Sequence, residues 1–497
     1  MTYWLGIDVG TGGTRALLVD ESGRVRHATT APHEDVQMER PLWAEQRPEN
    51  WWDAARHAVR GVLAEAKITG QEIRGIGLSG QMHGLVILDA AHQVIRPALI
   101  WSDQRSQPQV DWINQALGKD AVLRYTANPV LTGFTLPKLV WVRDHEPQNF
   151  ERVKKMLLPK DYIRFRLTGD FASDVSDASG TALFDVVQRR WSFEMVDALK
   201  LDRGILARVY ESSEVTGAIS EVAARETGLA AGTPVVAGGG DQAASAVGNG
   251  IVTTGVVSCT IGTSGVVFAH SDKPQYDPAG RVHTFCHAVK GAWHVMGVTQ
   301  GAGLSLQWFR NQLASSETYE ALTAEAASAP AGSQDLYWLP YLMGERTPHL
   351  DASVRGGWIG LTAKHKRADL IRSLLEGVSY SQKDCLDIIE GLGVSLDSVR
   401  ASGGGARSPF WRQMLADVFS KRVVTLETQE GSAYGAALLA LVGTGIYASV
   451  PEVTKAAIRE VDSLSPQPEA VRVYARGHKA YQSLYPALRP FFHSPAS

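Results

Sequence analysis

The chain has only three cysteines in 497 residues, Cys259, Cys286 and Cys385. So few cannot build a disulfide framework, and none is paired in the Cys-x-x-Cys spacing of a structural zinc site; a reducing cytoplasm is the expected compartment. Runs of like charge are also missing. Lys and Arg number 49 against 52 Asp and Glu, a formal charge of −3, and they are interspersed, which argues against nucleic acid or a membrane surface as partner. No long apolar run occurs either. The most apolar stretch, 235–268, is broken by Asp241, Gln242 and many glycines, whereas a bilayer span needs about 20 nearly uninterrupted apolar residues. The first residues lack the basic, apolar and small-residue order of a signal peptide, so none is expected. No Gly-x-x-x-x-Gly-Lys-Ser/Thr loop is present, so a nucleotide would have to be held by something other than a P-loop.

What is present is ample core material, with 44% of residues hydrophobic, in a chain too long for one compact domain. Alternating residues predict strands over 3–9, 14–20 and 24–30, joined by glycine turns. From 48 to 66 the period changes: Trp52, Ala55, Val59, Val62, Leu63 and Ala66 fall on one helical stripe. Strands 73–79 and 85–89 follow. Near residue 255 the pattern restarts, with strands 255–260 and 266–270 around a second Gly-Thr turn. This recurrence predicts an internal duplication with a boundary near residue 245. The second half continues with a long amphipathic helix ending at Gly391, strand 399–402, a helix capped by Ser408 with Pro409 in its first turn, strand 422–426 and a small-residue helix, 433–441. Beyond Pro451 the residues read as loop and terminal helix.

Four glycine-rich turns could carry chemistry. Asp8-Val9-Gly10-Thr11-Gly12-Gly13-Thr14-Arg15 puts an acid at the entry of a turn whose backbone N–H groups can face an anion, and an Asp there can hold magnesium through water. Gly262-Thr263-Ser264 is its counterpart in the second half, so two half-chains can offer two facing phosphate turns. Gly238-Gly239-Gly240-Asp241-Gln242 ends a strand with a carboxylate that no bulky neighbour screens, which suits a general base; the same residues would serve as a helix cap, with the helix starting at Ala243. Ser402–Ser408, containing Gly404 and Gly405, offers flat backbone to an adenine or ribose. Between two strands lies Gly80-Gln81-Met82-His83-Gly84, whose Met82 and His83 could meet a polyol, with Trp101 and Asp103 close by in sequence.

Two matches fail on context. Gly75-Ile76-Gly77-Leu78-Ser79-Gly80 fits the dinucleotide fingerprint, but its glycines lie inside a strand and a strand follows, not a helix. His283, His287 and His294 suggest a metal cluster without a paired ligand set, and their alternation predicts a half-buried strand.

In this order the pieces resemble the FGGY sugar-kinase family, which includes glycerol kinases, gluconokinases and xylulokinases, from Tyr3 to about Leu441. The xylulokinase branch is nearest, through Leu78-Ser79-Gly80-Gln81-Met82-His83-Gly84, Gly344-Glu345-Arg346-Thr347-Pro348 and residues 157–162, 171–174, 283–287 and 402–415. The resemblance implies an α/β fold of two ribonuclease-H-like, actin-type ATPase domains with a cleft between them: an N-terminal sugar-binding domain, 1–245, and a C-terminal nucleotide-binding domain with a helical tail, 246–497. It implies ATP with Mg2+, phosphorylation of a ketose such as D-xylulose, and a plausible homodimer. Asp241 would take the sugar proton, with Asp8 and Asp241 near the magnesium ion. Met82, His83, Trp101, Asp103, Asp241 and Gln242 would line the sugar site. Gly10, Thr11, Gly12, Thr14, Arg15, Gly262, Thr263, Ser264, Gly303, Gln307, Gly404, Gly405 and Ser408 would line the nucleotide site. The rivals are a kinase of the same family for another pentulose or sugar alcohol, and a non-catalytic ATP-binding clamp.

Overall fold

The computed structural model describes residues 2–428 and 430–493. Two seven-stranded mixed sheets organise the chain, and they repeat one plan. In the first, Tyr3–Val9 runs antiparallel to Gly13–Val19 and parallel to Ile73–Gly80; Val25–Pro32 closes one edge, and Pro234–Val236 with Val215–Ala218 the other. In the second, Gly255–Ile261 runs antiparallel to Gly265–Ser271 and parallel to Leu396–Ser402. Trp293–Thr299 then takes the place of Val25–Pro32, and Arg422–Leu426 that of Pro234–Val236. The duplication expected near residue 255 is thus a duplication of sheet order.

Tyr3–Val9 is buried along its whole length except at Asp8, because both faces of its sheet are covered. Leu5, Ile7 and Val9 point towards Trp51 and Val59 of the helix Pro48–Ala66, whose Pro48 fixes the first turn and whose Lys67 ends it in the left-handed conformation. Trp4, Gly6 and Asp8 point the other way. There lies the helix Gly431–Gly443, a segment of the second half that packs Ala433, Tyr434 and Ala437 around Trp4 and Val19 of the first. The approach is backbone to backbone. A Cβ on Gly6 would stand 1.9 Å from the Ala433 carbonyl oxygen, one on Gly77 1.8 Å from that of Ala436, and one on Gly435 1.8 Å from that of Ala244 in the helix Asp241–Gly248. Only glycine permits such contacts.

Three expectations are corrected. Helix Asp241–Gly248 begins at Asp241 itself, with Gly240 as its cap residue, not at Ala243. Strand His283–Cys286 is fully buried, not half-buried, because helical segments of the first half cover the face that the alternation left to solvent. The region after Pro451 contains a strand, Glu460–Leu464, on the edge of the second sheet; it is exposed and shows no apolar alternation, and backbone pairing together with ion pairs from Arg400, Arg412 and Arg422 to Glu460 and Asp462 holds it. The tail then forms the helix Pro468–Phe492, whose buried Tyr474 and Tyr481 join the core of the second half. No helix among the described residues is long and apolar enough to cross a membrane.

Candidate active site

Two cavities lie on either side of the turn between Gly255–Ile261 and Gly265–Ser271. The first, about 680 Å³, is lined by Gly262, Thr263, Gly303, Gln307, Gly404, Gly405 and Ser408. Its far wall is the helix Tyr319–Ala327, through Tyr319, Thr323 and Ala327, together with Phe410 and Trp411; none of these was legible from glycine patterns. Ser408 caps the helix Pro409–Phe419 by accepting the Trp411 N–H at 3.3 Å. The second cavity, about 540 Å³, is lined by Met82, His83, Trp101, Asp241, Gln242 and Ser264, and also by Phe134, His283, Glu345 and Arg346, which were not singled out as site residues. Ser264 therefore faces the Asp241 cavity while Gly262 and Thr263 face the other. A single turn forms a wall of both.

The acids stand at strand ends. Asp8 closes Tyr3–Val9, and Asp241 follows Gly239–Gly240, which pairs with Ser79–Gly80. Gly238 takes φ +81°, and a Cβ there would lie 2.1 Å from the Leu78 carbonyl oxygen, so the turn leading to Asp241 tolerates no side chain. Enclosure by protein, helped by the nearby Asp8, pushes the Asp241 carboxyl up to about 7. Asp8 is itself pushed up to about 6 by enclosure, against the influence of the neighbouring Ser79 hydroxyl and the field of Arg15. Its Oδ1 is shut off from solvent without a hydrogen-bond partner. Two enclosed carboxyls, both raised and one with an orphaned oxygen, are a donor set suited to a hard divalent cation.

Behind this floor lies a buried ionic cluster. Lys160 Nζ meets Asp161 Oδ1 at 2.5 Å and Asp174 Oδ1 at 2.8 Å, all three essentially without exposure. Asp174 Oδ2 accepts from the Ser176 hydroxyl at 2.5 Å and the Ser212 hydroxyl at 3.0 Å. Ser176 Oγ in turn accepts the Gly240 N–H at 3.1 Å. Asp241 thus follows a residue whose backbone is anchored to charge.

His83 is held rigidly in the left-handed conformation, φ +70°. Its carbonyl accepts from Lys138 Nζ at 3.0 Å and Thr135 Oγ1 at 3.2 Å, and its ring stacks on Phe134 with centroids 4.8 Å apart. Nδ1 lies 2.8 Å from the Gly180 carbonyl oxygen. A carbonyl only accepts, so Nδ1 carries the proton and Nε2 is left as an acceptor. Burial and the Lys138 charge push the ring down to about 3, so it is neutral.

Several expected residues point elsewhere. Asp103 does not reach the cavity: it is fully buried, accepting the Ala44 N–H at 2.7 Å and bonding Arg105 at 2.7 Å. A neighbouring arginine two positions on claims its carboxylate. Thr14 is buried and joined to His33 Nε2 at 2.8 Å, and Arg15 forms an ion pair with Glu430; neither lines the nucleotide cavity. Gly10, Thr11 and Gly12 form the turn beside Asp8, where Thr11 Oγ1 accepts from Trp101 Nε1 at 2.9 Å, but they line neither cavity. Trp101 is 43% exposed at the mouth of the Asp241 cavity, not in the core.

Duplicated sheets, a glycine-lined nucleotide-sized cavity and a carboxylate-floored one sharing a turn define the class of two-domain carbohydrate kinases of actin-like fold. Family comparison agrees. The FGGY N-terminal domain of carbohydrate kinases matches residues 3–248 and the FGGY C-terminal domain residues 257–444. The chain belongs to the FGGY family of carbohydrate kinases, and is a sugar kinase. It is 39% identical over 485 residues to the xylulose kinase of Bacillus subtilis (strain 168), covering 98% of this chain and 97% of the relative. To the xylulose kinase of Escherichia coli (strain K12) it is 40% identical over 488 residues, 98% and 99% of the two chains. Among solved structures, the xylulose kinase from Rhodospirillum rubrum superposes with a TM-score of 0.93 at 31% identity, over 99% and 100% of the chains. The gluconate kinase from Lactobacillus acidophilus gives 0.93 at 27%, over 99% of each.

Proposed function

We propose that the chain transfers the γ-phosphoryl group of ATP to O5 of D-xylulose, giving D-xylulose 5-phosphate and ADP. The observation that carries this reading is the turn Gly262-Thr263-Ser264, which borders both cavities, so a phosphate held by its amides faces Asp241. The likeness to the xylulose kinases named above, nearly end to end, supports D-xylulose as acceptor.

In the proposed reaction Asp241 accepts the O5 proton as the O5–Pγ bond forms and the bond from Pγ to the β-phosphate oxygen breaks, with ADP leaving. A carboxyl poised near 7 suits a base working at neutral pH. Asp8 and Asp241 would hold Mg2+ through water; when bound, such an ion neutralises charge on the phosphate oxygens. His83 Nε2 orients a sugar hydroxyl, and Met82 and Phe134 shape the apolar wall. Most of the rate enhancement then comes from positioning in a cavity shielded from water.

The test is ADP release with MgATP and a panel of D-xylulose, L-xylulose, D-ribulose, L-ribulose, glycerol, gluconate and D-arabinitol, with Asp241→Ala beside the wild type. Preference for D-xylulose, lost in the variant, supports substrate and base together. Preference for another acceptor overturns the substrate, and equal turnover by Asp241→Ala overturns the base and revives the ATP-binding clamp.

A further inference from the structure

Gly180 has no side chain, and its backbone does not require that. It sits in the 3-10 turn Ser179–Thr181, and its φ is not in the left-handed region. Alanine would fit the same backbone and lose less chain entropy in a helical turn. The need for glycine lies in what stands opposite. A Cβ on Gly180 would lie 2.4 Å from His83 Nδ1, 2.5 Å from His83 Cε1 and 3.1 Å from Met82 Cε. Both residues line the Asp241 cavity. The Met82 thioether is flexible enough to swing aside, whereas the imidazole is not: its ring stacks on Phe134, and its own carbonyl is held by Lys138 and Thr135.

The turn cannot retreat either. Ser179 Oγ donates to the Val175 carbonyl at 2.7 Å and accepts the Cys286 N–H, from a strand of the second half, at 3.0 Å. Thr181 Oγ1 donates to the Ala178 carbonyl at 2.6 Å and accepts the Leu183 N–H at 3.1 Å. Both side chains are buried. Between these anchors the Gly180 carbonyl accepts the proton of His83 Nδ1 at 2.8 Å. Gly180 thus acts twice on one ring. Its carbonyl fixes the proton on Nδ1 and leaves Nε2 an acceptor, and its missing side chain leaves the space in which the ring makes that bond. An added methyl group reaches ordinary contact only near 3.4 Å, so the ring would have to slide along Phe134 by roughly 1 Å and carry Nε2 with it.

We propose that Gly180 is a positioning residue, which orients His83 so that Nε2 receives a hydroxyl of the acceptor sugar. This rests on the reading that His83 contacts the sugar. The test compares wild type, Gly180→Ala, His83→Ala and the double variant in kcat and KM for the acceptor that the panel above favours. The KM for ATP and the sugar-free hydrolysis of ATP serve as controls on fold and nucleotide site. Gly180→Ala should lose about 10–100-fold in kcat/KM for the sugar, the scale of a misplacement of about 1 Å, chiefly through KM and with both controls unchanged. Once the ring is gone the methyl group has room, so adding Gly180→Ala to His83→Ala should change the sugar KM less than about twofold. An unchanged sugar KM in Gly180→Ala, or the same loss with and without the ring, overturns the assignment while leaving the His83 contact standing. Wild-type affinity for sugar in His83→Ala overturns that contact, and the positioning role with it. Should Gly180→Ala not fold, histidine-nitrogen NMR of the wild type decides, with the His83 signal identified by its loss in His83→Ala: a proton on Nδ1 is expected, and a proton on Nε2 overturns the assignment.

Discussion

Replacing Asp241 by asparagine keeps the shape of the side chain and removes its charge, so activity and stability should move in opposite directions. The Asp241 carboxyl is raised from 3.8 to about 7 by enclosure and by Asp8. An acid whose folded value is raised binds its proton more tightly when folded, so wild-type stability falls as pH rises from about 4 and levels off above about 7. Three units correspond to about 4 kcal/mol for a fully enclosed group. The carboxyl opens on the cleft, and water there reduces the cost to about 1–2 kcal/mol. Asp241→Asn never ionises, so its Tm should exceed that of the wild type by about 1–4 °C at pH 8, with a smaller gap at pH 5. Turnover should fall by about 10²–10⁴, the range for loss of a general base. Calorimetry across pH, with ADP release on the same samples, measures both. A variant no more stable than wild type at pH 8, or a gap independent of pH, would refute the claim that this carboxyl is held under electrostatic tension.

Other expectations concern the frame around the site. Gly404 has helical dihedrals and open space where a Cβ would go, so Gly404→Leu should raise the KM for ATP at least about tenfold by filling the nucleotide cavity, with Tm and the KM for sugar unchanged. Gly77→Val should abolish the soluble folded protein, because its Cβ would sit 1.8 Å from the Ala436 carbonyl oxygen; a normal circular dichroism melt would contradict this. Arg372 is buried against Glu376 at 2.9 Å and the Tyr474 hydroxyl at 2.6 Å. Arg372→Met leaves Glu376 uncompensated and should cost about 3–5 kcal/mol in denaturant titration, while Arg372→Met with Glu376→Met should cost less.

Elements whose signals are local were readable. Strand 3–9 and helix 48–66 carry clear periods and are bounded by a glycine turn and by Pro48. Asp8 and Asp241 stood out because both close an apolar strand beside glycines. Asp103 misled because the arginine that claims it, although only two residues away, reveals its pairing only when the fold shapes that turn. The helix Tyr319–Ala327 was missed as a nucleotide wall because nothing in Tyr319, Thr323 or Ala327 marks them apart from ordinary helix residues.

The helix Gly431–Gly443 has a consequence for biosynthesis. The sheet face bearing Trp4, Leu17 and Val19 leaves the ribosome well before its cover, which is encoded more than four hundred residues later. Until Gly431 has been made, that apolar face and the glycine-lined backbone beneath it stay bare. The first sheet therefore cannot complete its packing as an independent unit during translation, and its folding waits on a helix encoded in about the last seventh of the polypeptide.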